Sequence, residues 1–376
     1  MNTVKPMTLT PLALNLRATR LTMALGAVLL VSGCASNFNR PYQAPALTIP
    51  VQYSQASAAA GADATAAPSA PVGRWWMRFN DPELDRLVAE VLQGNNNLAA
   101  AAIRVRRAQL LAGPVDNNLQ PIFSGGVGTS SSLPLQAGAV SVPKSSVSLS
   151  AAYEIDLWNK LGSLRDVARW EALATEQDRQ SAALALVGTT AALYWQVGFL
   201  NQSLAANAQS IAYAQTTFDL VQMQYRAGAV SGLEVADAQQ TLAKQQANQS
   251  ALRQQAFEAQ TALALLLDGS PGTRLANPAT LPALTLPPLD AGVPVALLGR
   301  RPDLRAAEMR LRGTFTGIDA ARASYYPAFS LTGSLGSSST QLSNVLQNPV
   351  GTLGLGMTLP FLQRTAMQLT ISVSET

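Results

Sequence analysis

The 376-residue chain has no histidine, one cysteine, and charge at only 13% of its positions. Without histidine and with a lone thiol, no Ser-His-Asp triad, Cys-His pair or Cys/His metal centre can be built, which removes most hydrolase and zinc chemistry. No enzymatic activity and no cofactor are expected. Soluble domains ordinarily carry roughly a quarter charged residues, so a chain at half that level hides its surface against partner helices or lipid.

Residues 1–33 hold Lys5, Arg17 and Arg20, no acid, and the apolar run 21–31. This is a secretory signal peptide, since the run is about half the ~20 residues a transmembrane helix needs. Leu30, Val31, Ser32 and Gly33 stand directly before Cys34 and resemble a bacterial lipobox, in which the chain is cut before the cysteine and the thiol carries the lipid. Cys34 is the expected lipid-attachment site. Removing the leader takes away three positive charges, so the formal net charge falls from +4 to +1, and nucleic acid has no support as a partner. Ala35 after the cysteine favours the outer membrane under the usual lipoprotein sorting rule.

Residues 34–72 are rich in Pro, Ala, Ser and Gln and form the lipidated N-terminus and an extended tether. In the following WWMRFNDPELDRLV, Asn80 or Asp81 can cap a helix with Pro82 at its first position, and Trp75 and Trp76 are expected to pack on that helix.

The chain repeats itself. At an offset of 206, Asn97-Leu98 falls on Asp303-Leu304, Arg104 on Arg310, Arg106 on Arg312, Pro121 on Pro327, Phe123 on Phe329 and Ser124 on Ser330, without a gap. Each copy carries an Ala- and Arg-rich helix, then two amphipathic strands: PIFSGGVGTSSS and SVSLSAAYEIDLW in the first, PAFSLTGSLGSSS and GTLGLGMTLPFL in the second. The first copy, with its linker, spans 73–296 and the second 297–376. Four strands cannot close a barrel, and open edges are not tolerated in lipid, so several chains must share one barrel if the strands enter a membrane.

After the first strand pair (about 121–157) a long hairpin follows, about 164–267, then a Pro-rich linker, 268–296. From Leu186, the positions Thr190, Leu193, Val197, Leu200, Leu204, Asn207, Ile211, Ala214, Phe218, Val221 and Tyr225 alternate steps of four and three, a heptad seam. A second seam runs through Val235, Ala238, Leu242, Gln245, Gln249, Leu252, Ala256, Ala259, Leu263 and Leu266. The only formal charge from 181 to 225 is Asp219, so these helices pack on more than one side. The uncharged stretch 182–200 is long enough for a membrane helix, but its threonines, its glutamine and the unbroken seam favour packing. Gly228 and Gly232 are expected at the hairpin turn. Glu154 and Asp156 are expected to share one strand face near a barrel rim, in a solvated or inter-subunit role.

The lipobox, the tether, WWMRFNDPELDRLV, YEIDLWNKLG, YRAGAVSGLEV, LLGRRPDLRAAE and TLPFLQ, in this order, resemble the outer-membrane efflux protein family, nearest its TolC-like lipoprotein branch serving resistance-nodulation-division pumps. The resemblance implies a mainly α fold with a small β part. Long antiparallel α-helical hairpins build a periplasmic α-barrel, and four strands per chain enter a trimeric 12-stranded outer-membrane β-barrel. It implies a passive, lipid-anchored duct in the cell outer membrane with a long periplasmic extension. Its partners would be a homotrimer of sister copies, a periplasmic adaptor protein, an inner-membrane efflux pump and outer-membrane lipid. By the family motif, Arg226, Gly228, Val230, Ser231 and Leu233 form the hairpin tip where the adaptor docks. Arg300, Arg301, Pro302, Asp303 and Arg305 open the second copy, with helix capping and inter-helix pairing expected. Two alternatives stand beside the duct: a structural or adhesive lipoprotein without conduction, and a duct of a polypeptide secretion system. The second copy has 14 residues after Leu362, where the first has 109 after Trp158 through Leu267. A missing second hairpin would remove the periplasmic gate and leave apolar seams uncovered, so poor assembly is expected of the chain as it stands.

Overall fold

A computed structural model describes residues 42–43, 50, 73–133, 135–136, 140–269, 277–281 and 299–375. The signal peptide, the lipobox residues Leu30, Val31, Ser32 and Gly33, and Cys34 lie outside the described residues. The chain divides into two compact units, one drawn from residues 1–46, 108–173 and 308–376, the other from 47–107 and 174–307. Each is described by itself.

Helices come first in chain order: α1 (Pro82–Gly94) and α2 (Asn96–Asn117). Strands β1 (Ile122–Ser132) and β2 (Val142–Ile155) follow, then α3 (Lys160–Arg226) and α4 (Gly232–Leu266). The remainder is α5 (Pro302–Ala323), β3 (Ala328–Ser339), β4 (Val350–Thr358) and α6 (Arg364–Glu375). The offset of 206 recurs in three dimensions: α5 begins and ends at 302 and 323 where α2 has 96 and 117, and β3 begins at 328 where β1 has 122.

In the second unit, α3 and α4 form the antiparallel hairpin. The heptad positions are the ones that face the partner helix: Val197, Leu200, Ala256 and Ala259 are buried together with Leu204 and Leu252 against them, and of both seams only Tyr225 is exposed. Asn207 donates to the Gln245 side chain at 3.0 Å inside the seam, a polar pair that fixes register. A second face of α3 is covered too. Val187, Ala191 and Tyr194 pack with Leu84, Leu87, Val88 and Val91 of α1, with Trp76 and with Leu263. Among the described helices α3 alone holds an 18-residue window apolar enough to cross a membrane, and 39% of that window is buried. Asp81, not Asn80, caps α1: its Oδ1 accepts from the backbone N–H groups of Glu83 and Leu84, both at 3.1 Å, while Oδ2 accepts from the buried Tyr194 hydroxyl at 3.0 Å. At the far end of the hairpin, the Asp268 carboxylate accepts from the Asn96 N–H at 2.8 Å and the Asn95 side chain donates to the Leu266 carbonyl at 2.8 Å. These contacts tie α4 to the junction of α1 and α2.

In the first unit the four strands form one antiparallel sheet in the order β1-β2-β3-β4. The strand-to-helix joint after β2 is tightly built. Asp156 lies beyond the strand rather than in it, and its carboxylate accepts from the Gly162 N–H at 2.8 Å at the start of α3. Glu154 pairs with Lys160. The expectation that the two acids share a strand face is therefore corrected: one closes an ion pair and the other caps a helix, where the positive end of the helix dipole favours a carboxylate. The Trp158 indole donates to the Pro327 carbonyl at 2.8 Å and its ring lies 5.0 Å from that of Tyr326, which holds the start of β3 beside the end of β2.

Candidate functional site: the two sheet faces and the hairpin tip

Directly opposed residues of an antiparallel pair point to the same side of the sheet, so the register sorts every strand residue onto one of two faces. One face gathers Phe123 and Val127, Val147, Leu149, Tyr153 and Ile155, Phe329, Leu331 and Leu335, and Leu353, Leu355 and Met357. The other gathers Ser124, Gly126, Gly128 and Ser130, then Ser146, Ser148 and Ser150, Ser330, Thr332 and Ser334, and Thr352, Gly354 and Gly356. Among the described residues nothing in the unit covers the apolar face: Leu353 is 84% exposed, Val127 83% and Phe123 72%. The hydroxyls of the other face pair across strands, Ser124 with Ser150 at 2.7 Å and Ser334 with Thr352 at 2.5 Å.

Dimensions decide what this surface fits. Along β2 the apolar positions run from Val147 to Ile155. Nine residues at ~3.3 Å each, tilted by ~40°, give a band about 23 Å high, close to the ~25 Å apolar belt of an outer-membrane barrel. Monomeric soluble proteins rarely expose a contiguous apolar surface of this extent to water; such a surface marks a membrane or protein contact. The sheet also ends openly at β1 and β4, whose outer edges have no partner strand among the described residues.

At the other candidate site, α3 ends and α4 begins within five residues. The Gly228 N–H donates to the Tyr225 carbonyl and the Ala229 N–H to the Gln224 carbonyl, both at 2.9 Å, with Gly228 at φ +73°. This is a Schellman ending, which requires the left-handed residue that glycine supplies without strain. Ser231 caps α4, its Oγ accepting from the Leu233 N–H at 3.2 Å, while Glu234 reaches back to the Ser231 N–H at 3.0 Å to close a capping box. The Ser231 hydroxyl holds the Glu234 carboxyl below the ordinary glutamate range. Arg226 donates to Gln222 at 3.1 Å, Val230 is half-buried, and Leu233 is 69% exposed. Arg226, Gly228, Val230, Ser231 and Leu233 are thus brought together at one tip. Gly232 is the first residue of α4 and not part of the turn, correcting the expectation for it. Glu234 belongs to the tip as well; its signal was the S-x-x-E spacing of Ser231 and Glu234.

At the start of α5, Arg301 pairs with Asp303 at 2.5 Å within the same turn, and the inter-helix pair is made further along, by Arg310 with Glu171 of α3 at 3.3 Å. The pairing expected at positions 300–305 is therefore partly local.

A sequence profile of the outer membrane efflux protein family matches residues 87–269 and 293–375. The chain belongs to this family. Outer membrane efflux proteins similar to it include the pyoverdine export outer membrane protein OpmQ of Pseudomonas putida, 34% identical over 83% of this chain and 68% of that one. Another is the toxin and drug export protein A of Aggregatibacter actinomycetemcomitans, 29% identical over 80% of this chain and 66% of that one. Among solved structures, the outer-membrane channel OprN superposes with a TM-score of 0.78 at 26% identity, over 90% of this chain and 76% of that one. The chain spans about two thirds of the length of the curated relatives it matches. The fold is that of TolC-like outer-membrane channels, with helical-barrel and β-barrel parts.

Proposed function

We propose that this chain is one third of a hollow, passive efflux duct, three copies sharing a 12-stranded barrel in the outer membrane. The observation that carries the reading is the two-faced sheet with open edges. Its apolar face suits lipid, its Ser/Gly/Thr face suits water, and three four-stranded sheets joined β4 to β1 leave no edge unpaired. The α3–α4 hairpin supplies part of the periplasmic tunnel wall, its exposed apolar residues off the seam, such as Phe199, Leu220 and Phe257, meeting neighbouring helices. Residues 73–296 and 297–376 are two copies of one unit, and α6 corresponds to the first turns of α3.

Residues 1–33 are the signal peptide, with Leu30, Val31, Ser32 and Gly33 as the lipobox, and Cys34 carries the lipid that anchors the mature N-terminus in the outer membrane, followed by the tether 34–72. The tip residues Arg226, Gly228, Val230, Ser231 and Leu233 dock a periplasmic adaptor protein, which couples the duct to an inner-membrane pump. A rigid turn held by two helix caps, with Leu233 projecting, is a surface another helical hairpin can grip. Relatives named for pyoverdine export and for toxin and drug export point to unlike cargoes, which supports a shared passage with selection made by pump and adaptor. The cargo class is small toxic compounds.

Accumulation of a fluorescent drug in cells with and without the gene tests the reading. Loss of the gene raises retention several-fold if the chain conducts; unchanged retention, together with no conductance in lipid bilayers, assigns the chain instead to an adhesive or structural role.

A further inference from the structure

The strands and the loops at their far end, 122–155 and 328–363, contain only two formally charged residues, Lys144 and Glu154. Glu154 is neutralised by Lys160 at the helix-side end of the sheet. Lys144 is opposite Ser130 on the Ser/Gly/Thr face, ten residues along β2 from Glu154 and beyond the Val147 edge of the apolar band. It is exposed, and neither connecting loop, 133–141 or 340–349, holds an acid that could answer it. The sheet therefore has one unbalanced charge, on the polar face, at the end remote from the helices.

We propose that Lys144 is a selectivity residue: in the trimer, three copies form a cationic ring at the outer mouth of the duct and favour the passage of anionic small solutes. This rests on the barrel reading above. Twelve strands at ~4.8 Å spacing and ~40° tilt give a barrel radius of about 12 Å, so lysine side chains pointing inward bring their charges within about 10 Å of the axis. Three such charges in water-filled space, screened over ~10 Å in 0.1 M salt, enrich chloride over potassium on the axis about fivefold; at 1 M, with a ~3 Å screening length, the enrichment falls to near unity.

The test uses the 376-residue chain in lipid bilayers and liposomes, with two readouts. Entry of an uncharged sugar reports the duct, and the reversal potential in a potassium chloride gradient reports the ring. The wild type and Lys144→Arg should prefer chloride about fivefold at 0.1 M and lose the preference at 1 M. Lys144→Gln should bring the ratio near unity and Lys144→Glu should invert it, with sugar entry unchanged in all four. Equal ion preference in wild type and Lys144→Gln, with sugar still entering, overturns the ring and leaves the duct standing. No sugar entry through wild-type trimers overturns the duct reading itself, and the ring with it.

Discussion

A lysine placed at position 353 and one placed at position 352 differ by a single step along β4 but should differ greatly in cost. Leu353 lies on the apolar face, opposite Gly333 and 84% exposed; Thr352 lies on the polar face, opposite Ser334. If the apolar face meets lipid, a lysine near the middle of the band costs about 2–4 kcal/mol. On the water-lined face the same side chain costs about 0.5 kcal/mol, as at an ordinary wet surface, plus about 1 kcal/mol for the lost hydroxyl pair with Ser334. With tenfold per 1.4 kcal/mol, Leu353→Lys should lower the equilibrium for membrane insertion about 30- to 700-fold and Thr352→Lys by no more than about tenfold. Folding into liposomes of defined composition, read as the fraction protected from protease across a urea series, measures both. Equal losses for the two variants would refute the assignment of faces.

Other outcomes follow from individual residues. Ser231→Ala should remove the cap of α4, costing about 1 kcal/mol of local stability, seen as faster amide exchange over the first turn of α4 with the rest of the helix unchanged. Because Glu234 is held below its ordinary range, its contribution at this tip is present above the ordinary glutamate value and lost as pH falls through the lowered one, so wild-type exchange should approach that of the variant only in acid. Tyr194→Phe should cost about 1.5–3 kcal/mol by deleting the hydrogen bond to Asp81; burial and then Asp81 raise the tyrosine above its ordinary range, so its contribution is intact below about pH 10 and is lost as pH rises towards the raised value, measurable by alkaline denaturation of both proteins. In the strand-bearing unit, the Arg312 guanidinium lies 4.9 Å from the Tyr42 ring and 5.4 Å from the Trp170 ring, so Tyr42→Ala should speed proteolytic nicking of the N-terminal segment several-fold, with an unchanged rate counting against the contact. Cys34→Ser should abolish incorporation of radiolabelled fatty acid, and continued labelling would disprove the lipid site.

Much of this architecture is legible in the sequence because its surfaces are periodic. The heptad positions from Leu186 to Leu266 could be read because every turn of a long helix repeats the same burial, and alternation in SVSLSAAYEI exposes the two faces of β2 in the same way. What escaped is local and aperiodic. Asp156 caps α3 only because the chain turns at Asn159, with φ +57°, and no spacing announces that turn. Arg301 pairs with Asp303 because they share one turn, where a charge-rich stretch alone leaves the partner open. The Lys144 ring required the register, since a one-residue slip would send that side chain to the lipid.

The central claim, that one face of the sheet meets lipid and the other lines water, is tested most directly by single cysteines in the membrane-inserted protein. Cysteines replacing Ser148, Ser334 and Thr352 should react with a water-soluble thiol reagent, while those replacing Leu149, Leu335 and Leu353 should resist it and, once carrying a fluorophore, be quenched by a lipid-confined quencher. Equal aqueous reactivity at all six positions would contradict the account.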